Sequence, residues 1–374
     1  MSETERSFDT GLNFFQTAVP GIGGILRTVP SDFQVTEQMR LAPFVFERTG
    51  RYGMYRLTAI GWETFAIIRH CARVFGIHPN KLRVAGMKDK HAITIQHLQI
   101  ESDKLLNYQT EGLQIEHLGR TDRPMRRGSH DRNMFEITVR ESSLDRVTIS
   151  ERIEQTMSEL QRQGGRLNLY GIQRFGGDQQ NHLAGYALAT GDHRGALQIF
   201  REQHPQLSGR STIPEPIAEL YVNSFYAAIG NHLMRELVER RMLPLKPVEG
   251  AFYGQIDSAG NLIPSTVYQV TMKNLERTTL LASHGQLVPV LNLNPFSGNF
   301  HSPEILRSNP VFDVRTETSG EVRIRTPFRR EPIYRSVYQS LHAFSHQETE
   351  TQTILRFGLG TGSYATVLLD ELIK

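Results

Sequence analysis

Hydrophobic and polar residues alternate along Asp32-Phe33-Gln34-Val35-Thr36-Glu37, which places Phe33 and Val35 on one face of a short strand. A second strand is expected from Tyr52 to Ile60. The period then lengthens: Phe65, Ile68, Cys71 or Ala72, and Phe75 fall on one helical stripe, with Thr64 near its start and Gly76 at its end. Ile93 to Ile100 and Phe135 to Val139 return to strand alternation, and Val147, Ile149, Ile153, Met157 and Leu160 restore helical spacing up to Gly164-Gly165. This order predicts an α+β fold with a mixed, largely antiparallel sheet flanked by helices.

From about residue 191 the texture changes. Turn-rich pieces (His204-Pro205, Pro214-Glu215-Pro216, Asn292 to Pro295) surround one long helix pattern through Ile217, Leu220, Tyr221, Ala228, Met234 and Leu237. Strands are expected at Val267 to Val270 and Gln286 to Leu291, and a basic-aromatic stretch from Arg323 to Arg335 contains Phe328, Arg329, Arg330 and Tyr334. These features read as an inserted module. Thr353 to Leu359 then alternates as a strand, turns through Gly360-Thr361-Gly362 and becomes a helix from Ser363 to Ile373. Gly358 to Ser363 is placed as a nucleotide-binding loop would be. With no βαβ unit or ribose-binding acid after it, it reads as a tight turn and argues against a dinucleotide oxidoreductase.

A chain of 374 residues, 39% of them hydrophobic, can bury a sizeable core, and two domains are expected. The 42 Lys and Arg nearly balance the 39 Asp and Glu, so a polyanionic partner would need a local basic patch. Such a patch lies between His117 and Arg132, where Arg120, Arg123, Arg126, Arg127 and Arg132 face only Asp122 and Asp131. It reads as a basic loop suited to phosphate contacts, with a merely solvated loop as the alternative. The lone cysteine, Cys71, excludes an internal disulfide and a multi-cysteine metal site, and no His-Glu-x-x-His occurs. No metal or cofactor is expected. A polar N-terminus and the lack of a run of about twenty apolar residues argue against export or a membrane span, leaving the cytoplasm as the expected location. No heptad or long apolar face points to an interface, so a monomer is expected.

Two stretches carry candidate chemistry. In Ala85-Gly86-Met87-Lys88-Asp89-Lys90-His91-Ala92, a single carboxylate sits between two lysines at a glycine turn joining strands. Flanking ammonium groups favour its ionised form and attract phosphate, so Asp89 could act as nucleophile or base toward a polyanion; the alternative is a solvated turn. In Asn168-Leu169-Tyr170-Gly171-Ile172-Gln173-Arg174-Phe175-Gly176-Gly177, an amide, two aromatics and an arginine among glycines suit nucleobase stacking and hydrogen bonding, though core packing would use the same residues.

Together these segments resemble the TruD family of tRNA pseudouridine synthases. The likeness rests on Ala85 to Thr94, Asp32 to Glu37, Asn168 to Gly176 and Gly362-Ser363-Tyr364-Ala365-Thr366, in that family's order, with Asn133-x-Phe135 and a helix bearing Asn231 in agreement. The resemblance implies a pseudouridine synthase fold, with a discontinuous catalytic domain (1–190 and 335–374) interrupted by a TRUD-type α/β domain (191–334). It also implies that Asp89 is the catalytic aspartate, with Lys88 beside it. Asn168 would orient the nucleotide or the Asp89 loop, and Tyr170, Phe33 and Tyr364 would line the base pocket. The arginine-rich loop, with Arg329 and Arg330 of the insert, would hold RNA. The substrate implied is tRNA, at uridine 13 of the D-arm, and DNA is not expected. Ile172, Gly360-Thr361 and Ala59 depart from the family pattern without touching Asp89. A non-catalytic RNA-binding or tRNA-chaperone module of the same fold is the competing expectation.

Overall fold

A computed structural model describes residues 10–12, 14–39, 49–88, 90–103, 106–126, 128–243, 246–294 and 331–374. The first part of the chain forms β1 (Ile25–Leu26), β2 (Phe33–Met39), β3 (Tyr52–Ile60), α1 (Thr64–Phe75), β4 (Leu82–Val84), β5 (Ile93–Glu101), β6 (Tyr108–Thr110), β7 (Leu113–Thr121), β8 (His130–Arg140) and α2 (Arg146–Arg162). Three helices follow, α3 (Asn181–Ala189), α4 (His193–Gln203) and α5 (Glu215–Glu239). Next come β9 (Phe252–Gln255), β10 (Tyr268–Gln269), α6 (Leu275–Ser283), β11 (Leu287–Asn292) and β12 (Tyr334–Ser336), and the chain closes with β13 (Leu341–Glu348), β14 (Gln352–Gly360) and α7 (Ala365–Ile373).

The main sheet has ten strands in the order β13-β14-β8-β2-β5-β3-β7-β6, with β1 added to β8 and β4 to β5. Only β2 and β5 are parallel among its described pairs. A second sheet, β10-β9-β11-β12, is separate. The fold is thus α+β and largely antiparallel, as the alternation predicts. Phe33, Val35, Ile137, Leu355 and Phe357 of the main sheet share one core with Ile153 of α2 and Leu368 of α7. Leu57, Leu98 and Ile115 share another with Ile67 and Cys71 of α1. The α3 and α5 helices press together where Gly185 lies directly against Tyr221. No described helix is long and apolar enough to cross a membrane.

Three local expectations shift. The inward stripe of α1 is Thr64, Ile67, Cys71 and Ala72, while Phe65 is 56% exposed. Thr64 takes a buried place because its hydroxyl engages the main chain of Lys88, which rotates the helix by about one residue, or 100°. Val147 likewise turns outward from α2. The basic stretch 117–132 is a loop only in its middle, since β7 and β8 continue through Thr121 and from His130.

The feature that positions the site is a change of partner along one edge of β5. Up to Ile95 this edge pairs with β2, through Thr36, and from Leu98 onward it pairs with β4, through Val84. Gln96 and His97 lie in the gap, and the loop leaving β4 crosses there.

Candidate active site

The gap in the ladder is filled by side chains. Glu37, near the end of β2, accepts the His97 main-chain N–H at 3.1 Å and the ring Nδ1–H at 3.0 Å through Oε1. Its other oxygen lies 3.3 Å from Lys88 Nζ, and both side chains are buried, at 0% and 7% exposed. Burial alone would push this carboxyl up; the His97 hydrogen bond and the Lys88 charge outweigh it and hold the carboxyl below its ordinary value. The Lys88 main-chain N–H donates to Thr64 Oγ1 at 2.8 Å, so the loop is pinned at the start of α1 as well. Gly86 leaves room here and does not take a left-handed conformation. A Cβ on it would come within 3.2 Å of Lys88 Nζ and 3.4 Å of His130 Cε1.

The basic loop is fastened beside this one. Gln99 of β5 accepts from Met125 N–H at 2.8 Å and donates to Arg123 O at 2.9 Å, and Gly128 N–H donates to Ala85 O at 2.9 Å. Arg123 and Arg126 are exposed on it and Arg132 is half-buried. Arg120 is not on this surface: it is buried on β7, donating to the carbonyls of Gly50 at 2.7 Å and Ser102 at 2.6 Å. Asp89, Arg127, Arg329 and Arg330 lie outside the described residues.

A second constellation gathers Asn168, Tyr170 and Tyr364. Ser363 Oγ donates to Asn168 Oδ1 at 3.1 Å, and the amide Nδ2 donates to Ser336 Oγ at 3.0 Å. The Tyr170 and Tyr364 ring centroids are 5.9 Å apart, and Arg174 Nε reaches the Tyr364 hydroxyl at 3.1 Å. Buried Asn231 of α5 holds both main-chain groups of Tyr170, accepting from its N–H at 2.7 Å and donating to its carbonyl at 3.1 Å. A cavity of about 150 Å³ opens beside Asn168, Arg335, Ser336, Thr361 and Ser363. The start of β8 runs between the constellations: His130 faces Lys88 and Glu37, Asp131 O accepts from Asn261, and Arg132 pairs with Gly360.

Phe33 joins neither group. It is 4% exposed in the core and meets Phe135 edge-on at 6.2 Å. Above it, the Arg27 guanidinium carbon lies 4.3 Å from the ring centre, on a backbone with φ 61, a conformation uncommon outside glycine and frequent at functional positions. The sequence assigns no individual role to Arg27, Glu37, His97 or Arg335, although Glu37 ends the Asp32 to Glu37 segment and Arg335 closes the basic-aromatic stretch. For Glu37 a signal existed, because it shares the parity of buried Phe33, Val35 and Met39 and is thus a carboxylate on a core-facing stripe. For Arg335, one of many basic residues in its stretch, no pattern distinguished burial from exposure. Among the described residues no cluster of three or more His, Cys, Asp or Glu could hold a metal ion.

Known proteins are similar to this chain over nearly its whole length. The family "tRNA pseudouridine synthase D (TruD)" matches residues 9–206 and 201–372. A protein of Methanococcoides burtonii named "Probable tRNA pseudouridine synthase D" is 34% identical over 97% of this chain and 96% of its own length. One of Pyrococcus furiosus with the same name is 24% identical over 97% and 98%. The crystal structure of the "Putative tRNA pseudouridine synthase D (TruD)" of Methanosarcina mazei superposes with a TM-score of 0.74 at 23% identity, covering 100% of this chain and 98% of that one, which shows a shared fold. On the family match across both halves and the 34% identity along its length, the chain belongs to the TruD family of tRNA pseudouridine synthases.

Proposed function

We propose that this chain isomerises uridine to pseudouridine in tRNA, with Asp89 as nucleophile or base and uridine 13 of the D-arm as target. The observation that carries the reading is the double fastening of Lys88, main chain on Thr64 and ammonium on Glu37, in a loop laced to the exposed arginines 123 and 126. Family membership supplies the reaction class. In that reaction the N1–C1′ bond breaks, the uracil turns, C5 bonds to C1′, and the C5 proton leaves while N1 gains one. Atoms and electrons balance within the substrate and solvent, so the isomerisation calls for no external oxidant or reductant.

The target must leave its stack at a cost of a few kcal/mol, which stacking and base-edge hydrogen bonds in a pocket offset. Asn168, Tyr170 and Tyr364 are the groups suited to this, while Lys88, expected from the sequence to supply positive charge, has its ammonium committed to Glu37 and serves to anchor the residue before Asp89. Ionised Asp89 serves either direct attack on carbon or removal of a ribose proton. Arg123, Arg126 and Arg132 would meet backbone phosphates and position the RNA without reading its sequence. The same reading divides the chain into a catalytic domain (1–190 and 335–374) and an insert (191–334), and takes the protein as a cytoplasmic monomer.

The test is tritium release from C5-labelled uridine in a tRNA transcript, comparing wild type, Asp89→Asn, and a transcript carrying cytidine at position 13. Release by wild type alone, abolished by the cytidine, is the expected result. Equal release from the cytidine transcript would move the target elsewhere in the tRNA. No release from a tRNA that the wild type binds would sink the isomerase reading in favour of an RNA-binding module.

A further inference from the structure

Arg335 is the point where the second sheet enters the site. It stands on β12, paired with Leu291 of β11, and its side chain leaves that sheet for the Asn168 segment. Arg335 is 8% exposed, and its side-chain hydrogen bonds among the described residues go to an amide and to main-chain carbonyls, with no salt bridge to a carboxylate. Its hydrogens go to oxygen acceptors around the pocket: Nε to Asn168 O at 2.5 Å, Nη2 to Asn168 Oδ1 at 2.8 Å and Leu169 O at 3.2 Å, and both Nη atoms to Gly362 O at 3.1 and 3.2 Å. The plane also covers Tyr170, with Cζ 3.8 Å from the ring centre. A buried guanidinium is costly unless its geometry is well satisfied, and this one is spent on two segments that are distant in sequence, 168–170 and the Gly362 turn.

Each of these interactions fixes a degree of freedom. The bond to Oδ1, joined by that from Ser363, sets which way the Asn168 amide faces and leaves Nδ2 for Ser336. The cation over Tyr170 sets the plane of the ring. The bonds to Gly362, which adopts φ +77, hold the glycine turn carrying Ser363 and Tyr364. The turn that looks like a nucleotide loop in the sequence thus has a use, as one jaw of this clamp.

We infer that Arg335 is a positioning residue for the isomerisation, locking the Asn168 amide and the Tyr170 ring in working orientation, so that the second sheet completes the active site. The inference rests on the reading of Asn168 and Tyr170 as nucleotide-facing. Lysine keeps the charge but lacks the planar fork, and could not hold Asn168, Leu169 and Gly362 at once.

The test is steady-state tritium release from C5-labelled tRNA by the full chain, for wild type, Arg335→Lys, Asn168→Ala and the double variant, each with its melting temperature and tRNA Kd. Arg335→Lys should lower kcat about 10²-fold, as a misplaced orienting group does, with KM and Kd within about twofold of wild type. The double variant should be no slower than Asn168→Ala alone, because both substitutions remove one function. Wild-type kcat in folded Arg335→Lys, or losses that simply multiply in the double variant, would overturn the inference while leaving the isomerase reading intact. Where Arg335→Lys is unfolded at the assay temperature, Ser363→Ala carries the test by freeing the same amide: reduced kcat at constant KM supports the inference, and full kcat overturns it. Absence of release by the wild type sinks the isomerase reading and this inference together.

Discussion

Glu37 Oε1 accepts the main-chain N–H of His97, so a carboxylate supplies the acceptor that a neighbouring strand supplies elsewhere along β5. The same carboxylate neutralises Lys88. One side chain thereby repairs the break in the ladder and holds the loop that crosses it.

Glu37→Gln separates the two duties. It keeps a side-chain carbonyl for the His97 N–H but leaves the Lys88 ammonium buried without a carboxylate among the described residues. Stability should fall by about 3–5 kcal/mol, the usual cost of removing one partner of a buried pair, and Glu37→Gln with Lys88→Met should recover part of it. Urea midpoints measure both. A single variant as stable as wild type would mean that the ammonium is hydrated and the pair is not a dry one.

Stability should also decline in mildly acidic solution. Burial holds His130 below the ordinary imidazole value, with Lys88 and His97 adding repulsion while Glu37 and Asp131 oppose the shift. The unfolded chain therefore binds the proton first on acidification. The stability from keeping this ring neutral is complete above about pH 6.5 and is lost as pH falls below that toward the folded-state pKa. His117 and His342, displaced the same way by burial, share this window. Glu37 acts later: its contribution is complete above the ordinary carboxyl value and is lost as the pH falls from there through the depressed folded-state value. Melting temperatures between about pH 8 and pH 5 should slope accordingly, less steeply in His130→Gln. An unchanged slope in that variant would assign the window to the other two rings.

Arginines of the basic stretch should divide into two kinds. Arg123→Gln with Arg126→Gln should weaken tRNA binding and reduce the slope of log K against log salt by nearly one for each phosphate no longer neutralised, with the melting temperature unmoved. Arg120→Gln should do the reverse. It forfeits buried bonds to Gly50 and Ser102, and should cost about 1.5–3 kcal/mol per bond with the salt slope preserved. A salt effect from Arg120 would require its segment to open on binding RNA.

Phe33 tests core against pocket. Buried beside Ile137, Leu355 and Phe357, it should lose about 3–5 kcal/mol as Phe33→Ala and far less as Phe33→Leu, with turnover by Phe33→Leu near that of wild type. A large rise in KM for a stable Phe33→Leu would instead place the ring against the nucleotide.

Sequence pattern revealed the strands around Phe33, Tyr52 and Ile93 nearly to the residue; the first alternates between buried and outward positions, whereas Tyr52 to Tyr55 are buried on both faces. It misjudged the rotation of α1, since the apolar count ignores a polar bond that draws Thr64 inward. It grouped Arg120 with Arg123 and Arg126, because charge along a sequence carries no sign of which guanidinium finds main-chain carbonyls. The clamp at Arg335 was beyond its reach, as its acceptors come from chain segments far apart and are mostly main-chain oxygens, which every residue possesses. The family resemblance singled out Asn168 and Tyr364 as expected pocket residues, while the contacts that hold them are tertiary.

The pairing of β8 with β14 has a bearing on how the molecule is made. Glu136 and Arg356 face each other across it at positions 220 residues apart. During synthesis this β8 edge must wait, with its hydrogen-bonding groups unmatched, until the chain has been translated through β14. Such distant closure slows folding and leaves an open strand edge available to other chains meanwhile. The arginines and the Glu136 carboxylate along β8 are then safeguards during biogenesis as well as features of the finished sheet.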